Sequence, residues 1–145
     1  MKISGPSVVK RVYQDNFVEL VKKDITSYLA SGGSTEDIVI LSRRRLENSS
    51  LYGIKKISGH AVKEVRDLDD HDGRSINYYT IQAYKGLDAK VVFLIDIDGF
   101  RSENDRRLNY VGMSRAKILL YMYYSTNLKE EYEEVVMKGQ DLIDI

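Results

Sequence analysis

Two short runs of this sequence are almost entirely apolar, and they constrain the fold more than any other feature. Residues 37–42 read DIVILS and residues 91–97 read VVFLIDI, both rich in β-branched side chains. A run of this kind, bounded by turn residues, is typical of a strand buried on both faces in a parallel sheet. Weaker strand patterns occur at 76–81 and 118–124.

Apolar residues at helical spacing predict helices between these strands. The first has its apolar side chains three and four residues apart, at Phe17, Val18, Val21, Ile25, Tyr28 and Leu29. Asn16 with Glu19 resembles a capping box at its start, and Gly32-Gly33 ends it.

Three more helices are expected further along the chain. One is a short helix at 46–57. The next begins at a second capping box, Ser102 with Asp105, and places Leu108, Val111 and Arg115 on one face. The last carries its apolar side chains on one side, at Leu128, Tyr132, Val135 and Val136.

Strands that alternate with helices predict an α/β fold with a mainly parallel sheet. The 145 residues suit a single domain over 1–145, large enough to bury a core. Residues 1–14 show no clear period and form a poorly defined N-terminal segment in this prediction. The polar, acidic stretch 66–74 is expected to be a surface loop.

Composition excludes several classes of protein. No stretch is long and apolar enough for a membrane span, and the start lacks the apolar core of a signal peptide. The absence of cysteine excludes a disulfide scaffold, a thiolate zinc site and a cysteine nucleophile, and suits the cytoplasm. Because 22 basic residues balance 22 acidic ones, any contact with nucleic acid should be local or shared with another chain.

Ligands of open parallel sheets collect beyond the carboxyl ends of the strands, so the segments that follow strands are the candidate sites. These segments are 42–45, 82–88, 98–101 and 125–127. The sequence has neither a G-x-x-x-x-G-K-[ST] loop nor a G-x-G-x-x-G turn for phosphates.

Two of the segments are unusual. Residues 80–88 read TIQAYKGLD and lead into the apolar strand, and residues 106–117 read RRLNYVGMSRAK. Taken singly, Gly86 is explained as relief of backbone strain, and Arg115 as an arginine whose stem lies along the core. Together with the strand between them, the two segments resemble the last two motifs of superfamily 1 helicases of the UvrD, Rep and PcrA kind, T-x-H-x-x-K-G-L-E and L-x-Y-V-[AG]-x-[ST]-R-A.

The resemblance implies a fold and a set of roles. The fold is the second, C-terminal RecA-like domain of such a helicase, with three layers. Arg115 would reach the γ-phosphate of ATP as an arginine finger, Asp88 would stand where the family's Glu contacts the ribose, and Gly86 would allow close approach to the nucleotide.

Other residues are assigned to DNA and to support of the motifs. Thr80 and Gln82 match positions that face single-stranded DNA, with Gln82 in place of the usual His. The resemblance gives a supporting role to Lys85, Ser114 and Tyr110, and Tyr110 is expected to pack under the motif helix rather than stack on a base.

The family's phosphate-binding lysine loop and magnesium-binding Asp-Glu pair have no counterpart in this sequence. ATP and Mg²⁺ would therefore be bound in the intact helicase together with an N-terminal RecA-like domain, in the same polypeptide or in trans. The isolated chain is expected to be inactive. The alternative is a stand-alone, non-catalytic module that binds a helicase or nuclease partner, or single-stranded DNA.

Weaker signals are interpreted as structural. His60 and His71 lack partners at ligand spacing, and the acidic run at 67–72 fails the calcium-loop pattern, so no metal site is expected. Arg43-Arg44-Arg45 follows a strand and either meets phosphate or forms a solvated turn. The clustered tyrosines suit strand packing better than base stacking.

Overall fold

A seven-stranded sheet with helices on both faces forms the domain. The computed structural model describes residues 5–137. The strands are β1 (Ser7–Tyr13), β2 (Ile38–Ser42), β3 (Lys56–Ile57), β4 (His60–Glu64), β5 (Ile76–Thr80), β6 (Ala89–Leu94) and β7 (Ala116–Ser125). The helices are α1 (Phe17–Ala30), α2 (Glu103–Met113) and α3 (Lys129–Met137). Short 3₁₀ turns occupy Thr35–Asp37, Leu46–Asn48, Leu68–Asp70 and Thr126–Leu128.

The sheet is parallel except at one end. Its strand order is β1-β7-β6-β2-β5-β4-β3, and only the β3–β4 pair is antiparallel among the described strands. The central strand β2 pairs with β6 and β5, with Ile38 opposite Val91 and Val39 opposite Asn77. All five residues of β2 are buried, as the apolar run predicts for a strand covered on both faces.

Alternate residues of the central strands point to two separate cores. Ile40, Phe93 and Tyr123 pack on the face that α1 covers. Leu41, Leu94 and Met122 pack on the opposite face with side chains from α2 and α3. The three-layer α/β architecture expected from the sequence is confirmed.

The helix expected at 46–57 is wrong. A 3₁₀ turn at Leu46–Asn48 is followed by further turns and by β3. The Ser49 hydroxyl donates to the Leu46 carbonyl oxygen at 2.9 Å and accepts from the Leu51 N–H at 3.1 Å, which replaces helical backbone hydrogen bonds. Gly53 adopts φ +86°, a left-handed conformation that no continuing helix contains.

The sequence assigned no element to residues 1–14, whereas Ser7–Tyr13 forms β1 and pairs in parallel with β7. Because β1 lies at the edge of the sheet, its side chains are only partly covered and give no clean alternation. Strands β3 and β4 were also missed.

The helix ends follow the sequence only in part. Asn16 makes no side-chain capping hydrogen bond, so the expected capping box is absent there. Gly32, at φ +103°, ends α1 as predicted. At the start of α2 the Ser102 hydroxyl accepts from the Asp105 N–H at 3.0 Å.

Candidate functional site

The candidate site residues lie at the two opposite ends of the parallel strands, which we call the carboxyl edge and the amino edge of the sheet. At the carboxyl edge, where parallel strands end, Ile81 follows Thr80 and its N–H donates to the Ser42 carbonyl oxygen at 2.8 Å. At the amino edge, where strands begin, Ala89 pairs with Ala116 and its N–H donates to the Arg115 carbonyl oxygen at 2.9 Å. Thr80 and Gln82 are thus at the carboxyl edge, whereas Asp88 and Arg115 are at the amino edge.

Residues 80–88 cross one face of the sheet between these edges. The Thr80 hydroxyl accepts from the Ala83 N–H at 3.1 Å and starts the turn. Tyr84 then packs on Tyr79, with ring centroids 4.6 Å apart, and donates its hydroxyl to the Asp88 carbonyl oxygen at 2.8 Å. Burial raises the pKa of Tyr84 to about 12. Gly86 turns the chain at φ +87°.

Arg115 lies beyond the end of α2 rather than on its face, because the helix ends at Met113. Its Nη1 donates to the Leu87 carbonyl oxygen at 3.2 Å and its Nη2 to the Ser114 hydroxyl at 3.0 Å. Its Nε is buried and has no hydrogen-bond partner among residues 5–137. The structure thus brings the guanidinium against the Gly86–Asp88 turn, which joins the two motifs singled out in the sequence.

Asp88 forms an ion pair with Lys117, with 3.3 Å between Oδ1 and Nζ, and both side chains are more than half exposed. Gly86, Leu87 and Asp88 also line an open cavity of about 460 Å³ whose other lining residues are Leu68, His71, Tyr79 and Tyr84. The amino edge therefore presents a carboxylate, two cations and an exposed glycine turn to the same region of the surface.

A second cavity lies at the carboxyl edge, and we call it the carboxyl-edge pocket. It measures about 270 Å³ and is lined by Arg43, Arg45, Glu64, Val65, Arg66, Thr80, Gln82 and Ala83. Its arginines come from the ends of β2 and β4, which the fold places next to β5. The sequence left Arg43 and Arg45 undecided and placed Arg66 in a loop, so only the strand order identifies this basic pocket.

Arg43 connects the carboxyl-edge pocket to α2. Its Nη1 lies 2.8 Å from the Asp105 Oδ1 and 3.3 Å from the Asp98 Oδ2, and its Nη2 is buried without a partner. Arg44 pairs with Asp98 at 2.5 Å, and this hydrogen bond raises the pKa of Arg44. The acidic side chains that follow β6 thus hold two of the three arginines that follow β2.

Asp96 occupies a left-handed conformation, with φ +58°, directly after β6. Its buried carboxylate accepts hydrogen bonds from the hydroxyls of Ser42, at 2.6 Å, and Ser50. A non-glycine residue is rarely held in this region of φ, and Asp is one of the residue types that tolerate it. The carboxyl edge is therefore fixed by hydrogen bonds between the ends of β2 and β6.

Two of the expected supporting residues are exposed. The prediction that Tyr110 packs under the motif helix is wrong, because the Tyr110 side chain is 38% exposed on α2. Buried Asn109, Gly112 and Met113 form the inner face of that helix instead. Lys85 is exposed, and within residues 5–137 its side chain makes no hydrogen bond or ion pair. Ser114 does hold Arg115, as the hydrogen bond above describes.

Within residues 5–137 no cluster of three or more His, Cys, Asp and Glu side chains could hold a metal ion. His60 contacts the Arg74 carbonyl oxygen, and the His71 Nδ1 lies 2.6 Å from the Tyr79 hydroxyl. Tyr78, Tyr79, Tyr123 and Tyr124 are buried, which confirms the packing role predicted for the tyrosines. In the same described part of the chain, no helix has the length and apolarity that a membrane span requires.

The segment that joins the carboxyl edge to the amino edge matches a known protein family. Residues 78–123, which include the 80–88 crossing and Arg115, match the model of the UvrD-like helicase C-terminal domain. Over this segment the chain is similar to the UvrD-like helicase C-terminal domain. The family resemblance found in the two motifs is confirmed, and it holds for the segment in which the structure brings them together.

The curated relatives that this chain matches are much longer proteins. A probable DNA helicase II homologue of Rickettsia felis is 30% identical over 144 residues, which is 89% of this chain and 22% of the relative. DNA helicase II of Rickettsia typhi is also 30% identical, over 89% of this chain and 21% of its own length. The chain thus spans about a fifth of the curated relatives it matches.

A solved structure supports the α/β fold of this chain. The crystal structure of the C-terminal domain of a possible DNA helicase from Lactobacillus plantarum WCFS1 superposes with a TM-score of 0.63 at 21% identity. The match covers 86% of this chain and 76% of the other.

Proposed function

We propose that this UvrD-like domain is the C-terminal motor domain of an ATP-dependent DNA helicase. In this proposal its amino edge is one wall of an interdomain ATP cleft, and its carboxyl edge is part of the track for single-stranded DNA. The observation that carries the proposal is the position of the Arg115 guanidinium, packed against the Gly86–Asp88 turn with a buried Nε that lacks a partner.

Arg115 is suited to stabilise the charge that develops on a transferred phosphoryl group. Its guanidinium is always charged, presents a planar fork of donors and is held in place by the Leu87 carbonyl oxygen and the Ser114 hydroxyl. A donor held before the reaction costs no reorganisation when charge develops, which is how an arginine finger accelerates hydrolysis. The ATP itself would be bound by the N-terminal RecA-like domain across the cleft.

Gly86 and Asp88 would contact the nucleoside end of ATP. The backbone at Gly86 has no Cβ and lies exposed at the turn, which permits close approach of a ligand. The Asp88 carboxylate can accept a hydrogen bond from a ribose hydroxyl once its ion pair with Lys117 opens. An ion pair between two such exposed side chains is worth only about 0–1 kcal/mol, so a nucleotide can displace it.

Within residues 5–137 no group of three or more His, Cys, Asp and Glu side chains could hold Mg²⁺, which would be bound with ATP by the N-terminal RecA-like domain. The chain's own contribution to hydrolysis is the Arg115 guanidinium and the turn at 86–88.

The carboxyl-edge pocket supports the DNA half of the proposal. Thr80 and Gln82 supply neutral hydrogen-bonding groups, and Arg43, Arg45 and Arg66 supply positive charge beside them. Arginine and hydroxyl groups are common contacts for phosphate oxygens, and such contacts dominate affinity for nucleic acid. The local cluster of arginines supplies these contacts in a chain whose net charge is zero.

The test is made in the protein that joins this domain to its nucleotide-binding partner domain. Replacing Arg115 by Ala should lower DNA-stimulated ATP hydrolysis by about 10³-fold or more, while ATP binding measured by titration calorimetry is retained. The matched control is Arg107→Ala, which removes an exposed α2 arginine paired only with Glu103 and should leave turnover unchanged. Normal turnover in the Arg115 variant, or hydrolysis by the isolated 145-residue chain, would contradict the proposal.

A further inference from the structure

Helix α2 connects the two edges of the sheet. Because β6 and β7 are parallel neighbours, the chain leaves β6 at the carboxyl edge, passes through α2 and enters β7 at the amino edge. The 11 residues of α2 span about 16 Å at 1.5 Å per residue. Residues at the two ends of this one rigid element therefore face the two different candidate sites.

Arg43 contacts the first turn of α2 and the carboxyl-edge pocket at the same time. Its Nη1 bonds to Asp105, the third residue of the helix, at 2.8 Å. Its side chain lines the carboxyl-edge pocket beside Thr80 and Gln82. The hydrogen bond from Asn109, near the middle of α2, to the Gly99 carbonyl oxygen, at 2.9 Å, ties the helix to the loop that follows β6.

The guanidinium of Arg43 is incompletely satisfied in this arrangement. The side chain is only 13% exposed, and its buried Nη2 has no hydrogen-bond partner in the part of the chain that the structure describes. An unsatisfied buried donor is unfavourable, so Arg43 is not held in its most favourable position. An anion that enters the carboxyl-edge pocket would attract the part of this side chain that lines the pocket. The same anion would compete with Asp105 and Asp98 for the positive charge of Arg43 and so weaken their hold on it.

The other end of α2 carries Arg115. The Ser114 N–H donates to the Tyr110 carbonyl oxygen at 2.9 Å, and the Ser114 hydroxyl accepts from the Arg115 Nη2. A shift of α2 along its axis would therefore move the group that orients the Arg115 guanidinium.

We propose that Arg43 and Asp105 are a pair of positioning residues that couple anion binding in the carboxyl-edge pocket to the orientation of Arg115. In one state Asp105 holds Arg43 and α2 lies as in the structure. In the other state a phosphate of the bound DNA strand pairs with Arg43 and the contact between Arg43 and Asp105 weakens. Helix α2 then shifts and moves Ser114 and Arg115 to a new position. The inference rests on the proposed function for the identity of the anion as a nucleic-acid phosphate.

The experiment follows backbone amides and the Arg115 Nε–H by NMR in the 145-residue chain during titration with an oligothymidylate of about eight nucleotides. In the unchanged chain we expect shifts at Thr80 and Gln82 and, at the same occupancy, at Ser114 and Arg115. Asp105→Asn keeps the size of the side chain and removes its charge. This variant should bind the oligonucleotide at least as tightly, because a competing carboxylate is gone, yet lose the shifts at Ser114 and Arg115.

The matched control is Glu103→Gln, which removes a negative charge from the same first turn of α2. Glu103 forms its ion pair with Arg107 and not with Arg43. The control variant should retain both sets of shifts. Shifts at Ser114 and Arg115 that persist in Asp105→Asn, or that are missing from the unchanged chain when Thr80 and Gln82 respond, would overturn the coupling and leave the DNA proposal intact. If Thr80 and Gln82 do not respond, the DNA proposal itself fails.

Discussion

Asp24 accepts two hydrogen bonds from the guanidinium of Arg11, each 3.0 Å long, and its Oδ2 accepts a third from the Tyr123 hydroxyl at 2.8 Å. The carboxylate is almost fully buried and joins α1 to the edge strand β1 and to β7. The hydrogen bond to Asp24 raises the pKa of Arg11, and burial raises that of Tyr123 far above its ordinary value.

Replacing Asp24 by Ala should lower the free energy of unfolding by about 2–4 kcal/mol, because it leaves a buried hydroxyl and an arginine without their acceptor. Tyr123→Phe removes one of the three hydrogen bonds and should cost about 1 kcal/mol. Urea denaturation of both variants measures the difference. Equal stability of Asp24→Ala and the unchanged chain would show that the three groups do not hold β1 in place.

Gly112 allows α2 to lie close to the sheet. A Cβ at this position would come within 2.8 Å of a Leu94 methyl and 3.4 Å of an Ile81 methyl. Gly112→Val should therefore destabilise the domain by about 1–3 kcal/mol through overpacking. The control Asn104→Val places the same β-branched side chain on the exposed side of the same helix. It therefore measures the effect of valine on helix propensity without the effect on packing. A thermal scan in which both variants melt together would contradict the close approach.

Several tyrosines should make the fold sensitive to alkaline pH. Burial comes first among the causes that raise the pKa values of Tyr28, Tyr78 and Tyr84 from 10.0 to about 12. Because the folded-state pKa values are the higher ones, the unfolded chain loses its protons first. This contribution to stability is complete below pH 10 and is lost as the pH rises toward 12.

Circular dichroism and tyrosinate absorbance, recorded together, test this expectation. Loss of structure should accompany the main rise in absorbance, and Tyr84→Phe should make the dependence on pH less steep. Full ionisation of the tyrosines in a chain that keeps its secondary structure would refute it.

Arg45 is exposed at the carboxyl-edge pocket and forms no ion pair within residues 5–137, so its charge is available to a phosphate. Arg45→Ala should weaken binding of oligothymidylate and reduce the slope of log affinity against log salt by about 0.7, the value for one contact to a single strand. Fluorescence anisotropy at several salt concentrations measures the slope. An unchanged slope in Arg45→Ala, or the same loss in Arg107→Ala, would remove Arg45 from the DNA track.

The sequence predicted the buried centre of the sheet well, because residues 38–42 and 91–94 are covered on both faces and their apolar runs are continuous. The prediction failed where the local spacing of apolar residues differs from the structure that tertiary packing imposes. The apolar residues Leu51, Ile54 and Ile57 recur at three-residue steps that resemble helical spacing. In the structure Leu51 is buried from a turn and Ile57 from a short hairpin strand.

The two motifs were identified from sequence, but their geometry was not. Gln82 and Asp88 lie six residues apart in one segment, which the sequence placed beyond the carboxyl end of a strand. Tyr84 anchors the intervening residues across the sheet, so the two side chains reach opposite edges. The carboxyl-edge pocket could not be predicted from the sequence for a related reason. Arg43 and Arg66 follow strands whose order in the sheet cannot be deduced from local patterns.

The pairing of β1 with β7 has a consequence for folding. Ser7 lies opposite Leu119, so a strand from near the start of the chain finds its partner only among residues made much later on the ribosome. Contacts so distant in sequence form slowly, because a long loop must close before they contribute. The segment that contains Arg11 must therefore wait for β7, and until β7 is made the side of β6 that pairs with β7 would be an open edge available to other nascent chains.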